Sequence, residues 1–132
     1  MSDLEILART VEGEGEGEPF DGKVAIAWTA RNRLNRRSWY GRTIADVCQK
    51  PEQYSCWNEG AGGRISRITS VTLDEPSFRD GMAASAGVLL DMIADPTHGA
   101  THYHTKSVSP NWAKGREPCA VIGNHLFFND IP

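Results

Sequence analysis

The sequence predicts a single α+β domain spanning residues 1–132, mainly helical, with a small antiparallel β-sheet near the C-terminus. Apolar residues recur at helical spacing in three long segments before residue 95. Two short segments after residue 99 have the residue types of strands. The length suits one hydrophobic core, and neither an internal repeat nor a linker divides the chain.

The N-terminal segment predicts a helix that begins at a capping box. Ser2 and Glu5 have the spacing at which each side chain bonds the backbone N–H group of the other. An apolar stripe follows at helical spacing, formed by Leu4, Leu7, Ala8 and Val11. Gly13 and Gly15 are expected to end this helix.

Three further helices are expected, over residues 21–37, 43–49 and 76–94. The last is predicted to be the longest, with Asp74 as a candidate cap and Pro76 in its first turn. Its expected core stripe is Phe78, Met82, Ala86, Leu89 and Ile93. Residues 60–71 are predicted to be a loop. Residues 100–105 predict a strand, with residues 120–129 as its partner.

Composition excludes several classes of function. The net charge of −3 gives no electrostatic argument for nucleic-acid binding. No apolar run is long enough to span a membrane, and the N-terminus lacks the basic and apolar regions of a secretory signal. Cys48, Cys56 and Cys119 are expected to be reduced thiols, although a Cys48–Cys56 bridge stays open. The arginines at positions 31, 33, 36, 37 and 42 are interpreted as a solvated helix end, and Asn32 and Arg33 as structural hydrogen-bond anchors.

Residues 12–18 alternate glutamate and glycine, and this stretch is the first candidate site. An acidic, solvated loop is the alternative interpretation. Glu14 continues the apolar stripe of the first helix, so it is expected to be buried, whereas Glu12 and Glu16 point elsewhere. Crowded carboxylates repel one another, so at least one should hold its proton more firmly than a free glutamate. Such a carboxyl group can act as a general acid.

A second site hypothesis concerns the histidines. His102 and His104 point to the same face of the predicted strand. With His125 or Cys119 as a third ligand they would hold zinc, which together with a nearby glutamate suggests an amidase or peptidase. The ligand set is incomplete and the H-E-x-x-H motif is absent, so we expect no metal and no other cofactor.

Residues 7–25 resemble the opening of the cell wall hydrolases of the spore-cortex-lytic, or germination-specific, family. That family carries an E-A-R-G-E-P motif, followed by an aromatic residue, an acidic-Gly pair and V-A-x-V. The chain departs at Gly15 and Glu16, where alanine and arginine are usual. It matches at Glu14, Gly17, Glu18, Pro19, Phe20, Gly22, Val24 and Ala25. Further matches follow in order across nearly the whole chain: Asn32-Arg33, Gln53-Tyr54-Ser55, Asp95-Pro96-Thr97, Gly99-Ala100-Thr101, Trp112, Ile122-Gly123-Asn124-His125 and Phe127-Phe128.

The resemblance implies a lysozyme-like, two-lobed domain that cleaves peptidoglycan glycan strands between MurNAc and GlcNAc. Glu14 occupies the position of the family's catalytic glutamate, and Glu18 is a candidate second carboxylate. The reaction is that of a lytic transglycosylase, favoured here, or of a muramidase. The residues expected to bind substrate in the cleft are Gln53, Ser55, Trp57, Tyr103, Trp112 and His125.

Two further expectations concern biological context. A short chain without a signal looks like a monomeric phage endolysin that resides in the host cytoplasm before it reaches the cell wall. A non-catalytic glycan-binding module with the same aromatic cleft is the remaining alternative.

Overall fold

A computed structural model describes residues 1–36, 39–51, 53–60 and 64–132. These residues form five α-helices, two short 3₁₀ turns at Ser55–Trp57 and Asn111–Ala113, and three β-strands. The helices are α1 Asp3–Gly15, α2 Phe20–Asn35, α3 Ile44–Gln49, α4 Ile65–Ser70 and α5 Pro76–Leu89. The strands are β1 His102–Thr105, β2 Ala120–Ile122 and β3 His125–Phe128. Among the described residues, no helix is long and apolar enough to cross a membrane.

Helix α1 lies at the centre of the helical lobe and packs against the other four helices. Ser2 caps its start, since Ser2 Oγ accepts a hydrogen bond of 3.2 Å from the Glu5 N–H group, one of the two bonds of the expected capping box. Leu7, Ala8 and Val11 are completely buried. Because neighbours surround α1 on most sides, the apolar stripe read from the sequence covers only part of its buried surface.

The three strands form an antiparallel sheet in the order β1-β3-β2. Tyr103 pairs with Phe127 and Thr105 with His125. The predicted partner strand over residues 120–129 is therefore a hairpin of two strands, because Gly123 adopts a left-handed φ of 58° and turns the chain. The predicted fold class, a mainly helical α+β domain with a small C-terminal antiparallel sheet, is confirmed.

Two helix predictions were wrong. Residues 65–70 form helix α4 where a loop was expected, and Ile68 is completely buried beneath α1. Helix α5 ends at Leu89 and, at 14 residues, is shorter than α2 at 16. It ends because Asp91 adopts a left-handed φ of 57° and pairs with Arg31 at 2.7 Å. The residue that caps α5 is Glu75, not Asp74.

The core face of α5 also differs from the predicted stripe. Phe78 is buried as expected, but its buried companions are Gly81, Ala84, Ser85 and Val88. The predicted Met82, Ala86 and Leu89 are only half-buried, on the border of this face. The small residues lie innermost because α1 and α5 approach closely: a Cβ atom on Gly81 would stand 3.5 Å from the Ala8 carbonyl oxygen.

Asn32 and Arg33 are the hydrogen-bond anchors that the sequence indicated. The Asn32 amide donates to Asp95 Oδ2 and to the Ala100 carbonyl, both at 2.9 Å. The Arg33 Nε–H group donates to the Thr101 carbonyl at 2.7 Å. These bonds connect α2 to the chain that enters β1, and so fix the sheet against the helices.

Glu12, which was expected to point away from the core, is the most deeply buried of the four glutamates at positions 12–18. Its side chain is 0% exposed and pairs with Arg67 at 2.9 Å. Ser77 Oγ donates to its other oxygen at 2.9 Å. Glu14 is only half-buried. The buried charge of Glu12 is compensated by an ion pair and a hydrogen bond, as buried carboxylates require.

We expect Arg67→Leu to reduce the free energy of unfolding by more than Arg116→Leu does, because it leaves the buried Glu12 carboxylate without its cation. Arg116→Leu is the matched control. Arg116 is exposed to the same extent, 35% against 34%, but its partner Asp130 is itself 52% exposed. Its removal should cost less than about 1 kcal/mol. Urea unfolding measures both values, and equal losses would show that Glu12 does not depend on Arg67.

Candidate active site

The carboxylate of Glu14 is held by three donors from two distant parts of the chain. Its Oε2 atom accepts hydrogen bonds from the Cys56 N–H group at 3.1 Å and from Ser55 Oγ at 3.3 Å. Its Oε1 atom accepts one from the Tyr103 hydroxyl at 2.5 Å. The 3₁₀ turn Ser55–Trp57 and strand β1 thus fix both oxygens of one side chain on α1.

Gly13 permits this arrangement. A Cβ atom at position 13 would lie 2.4 Å from Cys56 Cβ and 2.9 Å from Ile68 Cγ2, distances that real atoms do not adopt. The missing side chain therefore lets the 55–57 turn approach α1 closely enough for the Cys56 N–H group to reach Glu14. Gly13 lies inside the helix and does not end it, contrary to the sequence-based expectation.

The groups around Glu14 stay protonated. Burial, followed by the nearby charge of Glu14, raises the pKa of the Tyr103 hydroxyl well above its usual value. The same two causes raise the pKa of the Cys56 thiol. Tyr103 is therefore a neutral hydroxyl that donates a hydrogen bond to Glu14. Cys56 contributes its backbone N–H group to the site.

Glu14 opens into a cleft of about 420 Å³. One wall is the turn that joins α1 to α2, residues 15–18, and the other is formed by Thr105, Asn124 and His125 of the sheet. Arg64 also lines the cleft. The cleft therefore lies between the helical lobe and the sheet, with carboxylates from Glu14, Glu16 and Glu18 along it.

Glu18 also lines the cleft, but its carboxylate has a different set of partners. Its Oε1 atom accepts the Asn124 N–H group at 3.0 Å and contacts His125 Nδ1 at 2.5 Å. Its side chain is only 10% exposed. Pro19 follows as the N-cap of α2 and keeps Glu18 out of the helix, as the sequence predicted.

Glu16 is a permanent anion. Hydrogen bonds from Arg67 at 2.7 Å and Arg64 at 2.6 Å lower its pKa from the usual 4.5 to about 2. It cannot supply a proton near neutral pH. Its position is where the family motif usually has arginine, and here two arginines from the 64–67 segment supply the positive charge instead.

Among the residues predicted to bind substrate, His125 lines the cleft, and Ser55 and Tyr103 hydrogen-bond Glu14. The other three contact the protein. Gln53 accepts a hydrogen bond from Arg33 at 3.2 Å, and the Trp57 indole N–H group donates to Thr10 Oγ1 at 2.8 Å. Trp112 packs edge-on against His102 and His104, on the face of β1 opposite to Tyr103.

The sequence analysis missed the contributions of the Cys56 backbone, Arg64, Thr105 and Asn124 to the cleft. Backbone donors leave no residue-type signal. Thr105 was detectable, because it lies two positions after Tyr103 and therefore on the same face of the strand. Arg64 lies in the segment that was expected to be a loop.

The predicted zinc ligands do not converge. Among the residues that the structure describes, no three His, Cys, Asp or Glu side chains are placed to hold a metal ion. His102 and His104 pack around Trp112, at ring distances of 5.3 and 5.7 Å. Burial and the charges of Arg33 and Arg36 lower the pKa of His102 to about 4, so its ring is neutral. All three cysteines carry free thiols.

Comparison with known proteins identifies the family. A model of the cell wall hydrolase family matches residues 17–128. The chain belongs to this family. The predicted membership of a cell wall hydrolase family is therefore confirmed.

The relatives include spore cortex-lytic enzymes. Those of Halalkalibacterium halodurans and Bacillus subtilis are each 31% identical over 129 residues. The alignments cover 97% and 96% of this chain but only 35% and 37% of those two enzymes. The chain thus spans little more than a third of the length of either relative.

Two solved structures have the same fold as this chain. They are the catalytic domain of the Bacillus cereus SleB protein and that of the germination-specific lytic transglycosylase SleB from Bacillus anthracis. Each aligns with a TM-score of 0.67 at 26% identity and covers 95% of this chain. The alignments include 88% and 92% of the two solved domains, respectively. The predicted lysozyme-like, two-lobed fold is confirmed.

We expect Gly13→Ala to reduce the rate of cell wall digestion by about 10²-fold, because the new methyl group moves the 55–57 turn away from Glu14. Gly81→Ala, in helix α5, is the matched control. Its Cβ atom would make only ordinary van der Waals contacts, at 3.5 Å with the Ala8 carbonyl oxygen and 3.7 Å with Val11 Cγ1. Turbidity clearance of purified sacculi measures both rates. Equal activities would show that the close approach at Gly13 is not needed.

Proposed function

We propose that this domain cleaves the glycan strands of peptidoglycan between MurNAc and GlcNAc as a lytic transglycosylase, with Glu14 as general acid and base. The observation that carries the proposal is the Glu14 carboxylate, fixed by three donors at the wall of an open cleft. Membership of the cell wall hydrolase family and the printed names of the related enzymes support this substrate class.

The contacts assign different tasks to the two oxygens of Glu14. Oε2 accepts from a backbone N–H group and from the Ser55 hydroxyl, so both of its lone pairs are used. Oε1 accepts only from the Tyr103 hydroxyl. The proton that is transferred to and from substrate therefore resides on Oε1.

The reaction follows from this assignment. Glu14 Oε1–H donates its proton to the glycosidic oxygen O4 of GlcNAc as the bond from that oxygen to C1 of MurNAc breaks. Positive charge develops at C1 in the oxocarbenium-like transition state. The resulting Glu14 carboxylate takes the proton of the MurNAc 6-hydroxyl while O6 bonds to C1. The products are a 1,6-anhydro end and a GlcNAc 4-hydroxyl, and Glu14 is protonated again.

One observation favours the intramolecular nucleophile over water. An inverting hydrolase needs a second carboxylate that is free to activate water. Glu16 is engaged by two arginines, and Glu18 Oε1 is engaged by Asn124 and His125. The Glu18 side chain is also only 10% exposed, so we assign both proton transfers to Glu14.

The remaining expectations about context stay predictions. These are a phage endolysin, its residence in the host cytoplasm and a monomeric state. A glycan-binding module without turnover is the competing function, since Ser55 and Tyr103 would hydrogen-bond sugar as well.

We expect Glu14→Gln to fold normally and to lose 10²–10⁴-fold of the lytic rate, because an amide cannot donate the proton. Glu5→Gln, which changes a carboxylate that is 43% exposed on the same helix, is the control and should stay fully active. Turbidity clearance gives the rates, and pull-down on sacculi gives binding. If wild type and Glu14→Gln bind equally and neither clears the suspension, the protein is a binding module.

The digestion products distinguish the possible reactions. Mass spectrometry of digested peptidoglycan should show muropeptides with intact stem peptides and 1,6-anhydro ends, lighter by one water than hydrolysed ends. Reducing MurNAc ends would indicate a muramidase and would contradict the single-glutamate mechanism. Free stem peptides would indicate an amidase.

A further inference from the structure

We propose that Glu18 and His125 are positioning residues, which fix Tyr103 and through it the proton-carrying oxygen of Glu14. This inference rests on the proposed function and deepens it. It assigns Glu18, the candidate second carboxylate, to a different task. The argument depends on the contacts between the turn that follows α1 and the tip of the β2–β3 hairpin.

The tip of the hairpin is attached to that turn through one carboxylate oxygen. Glu18 Oε1 accepts both the backbone N–H group of Asn124 and the Nδ1–H group of His125. The side chains of Glu18 and His125 are only 10% and 7% exposed. Both lone pairs of this oxygen are used, and neither side chain has much surface to offer a substrate.

Two glycines shape the niche that holds this carboxylate. A Cβ atom on Gly123 would lie 2.9 Å from Glu18 Oε1, and one on Gly22 would lie 3.0 Å from Glu18 Cβ. Gly123 also has a left-handed φ of 58°, which glycine adopts without strain. The hairpin tip and the start of α2 are thus both shaped around the side chain of Glu18.

His125, which Glu18 holds in place, packs against Tyr103, and Tyr103 contacts Glu14. Its ring stands edge-on to that of Tyr103, with centroids 5.0 Å apart and planes at 89°. The Tyr103 hydroxyl then donates to Glu14 Oε1. The carboxylates of Glu18 and Glu14 are therefore linked through two packed rings, and a displaced His125 ring allows Tyr103 to move from its position against Glu14.

This role requires an acceptor at position 18 and not a charge. The amide oxygen of glutamine can accept the same two N–H groups in the same niche, whereas alanine cannot. A second carboxylate that activated water would need its negative charge, and glutamine would abolish that function. The two roles therefore make opposite predictions for Glu18→Gln.

The test compares four variants on purified sacculi, with kcat and KM measured separately. We expect Glu18→Gln to retain most of the wild-type kcat and Glu18→Ala to lose about 10²-fold in kcat with KM nearly unchanged. His125→Asn and His125→Gln both lack the ring that packs against Tyr103, so both should lose kcat with KM nearly unchanged. Thermal unfolding verifies that each variant is folded at the assay temperature.

The inference is overturned if Glu18→Gln is as inactive as Glu14→Gln, or if both His125 variants keep the wild-type kcat. It is also overturned if Glu18→Ala raises KM alone, because Glu18 would then bind substrate directly. The proposed function is judged separately, from the wild-type products. Glycan cleavage by the wild type together with an inactive Glu18→Gln would refute the positioning role and leave the glycosidase intact.

Discussion

The close approach of the 55–57 turn to helix α1 at Gly13 is the constraint on which the site depends. It places a backbone N–H group, which cannot rotate away, against the carboxylate of the next residue, Glu14. A side-chain donor must be ordered before it can bind the carboxylate, whereas a backbone donor is already held in place by the fold. Ile68 of α4 packs against the same gap, so the helical lobe and the active site share one set of contacts.

Local chemistry made much of the fold predictable from the sequence. The Ser2 cap of α1 and the Pro76 start of α5 depend on near neighbours in the chain, and both occur. Errors arose where distant contacts decide the structure. Asp91 ends α5 in a left-handed conformation because Arg31 holds it, and no glycine marks that position.

The candidate site was predictable to the extent that residue type determines chemistry. Glu14, Ser55 and Tyr103 were identified and do meet, although 89 residues separate Glu14 from Tyr103. Trp57 and Trp112 were expected to bind substrate in the cleft, but each contacts other side chains of the protein instead. Residue type indicates what a side chain can do, whereas its face and its partners depend on tertiary structure.

The alternation of glutamate and glycine illustrates how tertiary contacts give similar residues different roles. Glu12 is buried against Arg67, Glu14 is held by neutral donors, Glu16 lies between two arginines, and Glu18 bonds the hairpin tip. Each carboxylate therefore has its own partners in the fold. Glu12 is fully buried, Glu16 is paired with arginines and the Glu18 side chain is 10% exposed, whereas the donors to Glu14 are all neutral. The environment of each carboxylate in an acidic run thus depends on the partners that the fold supplies, and mutual repulsion alone does not determine it.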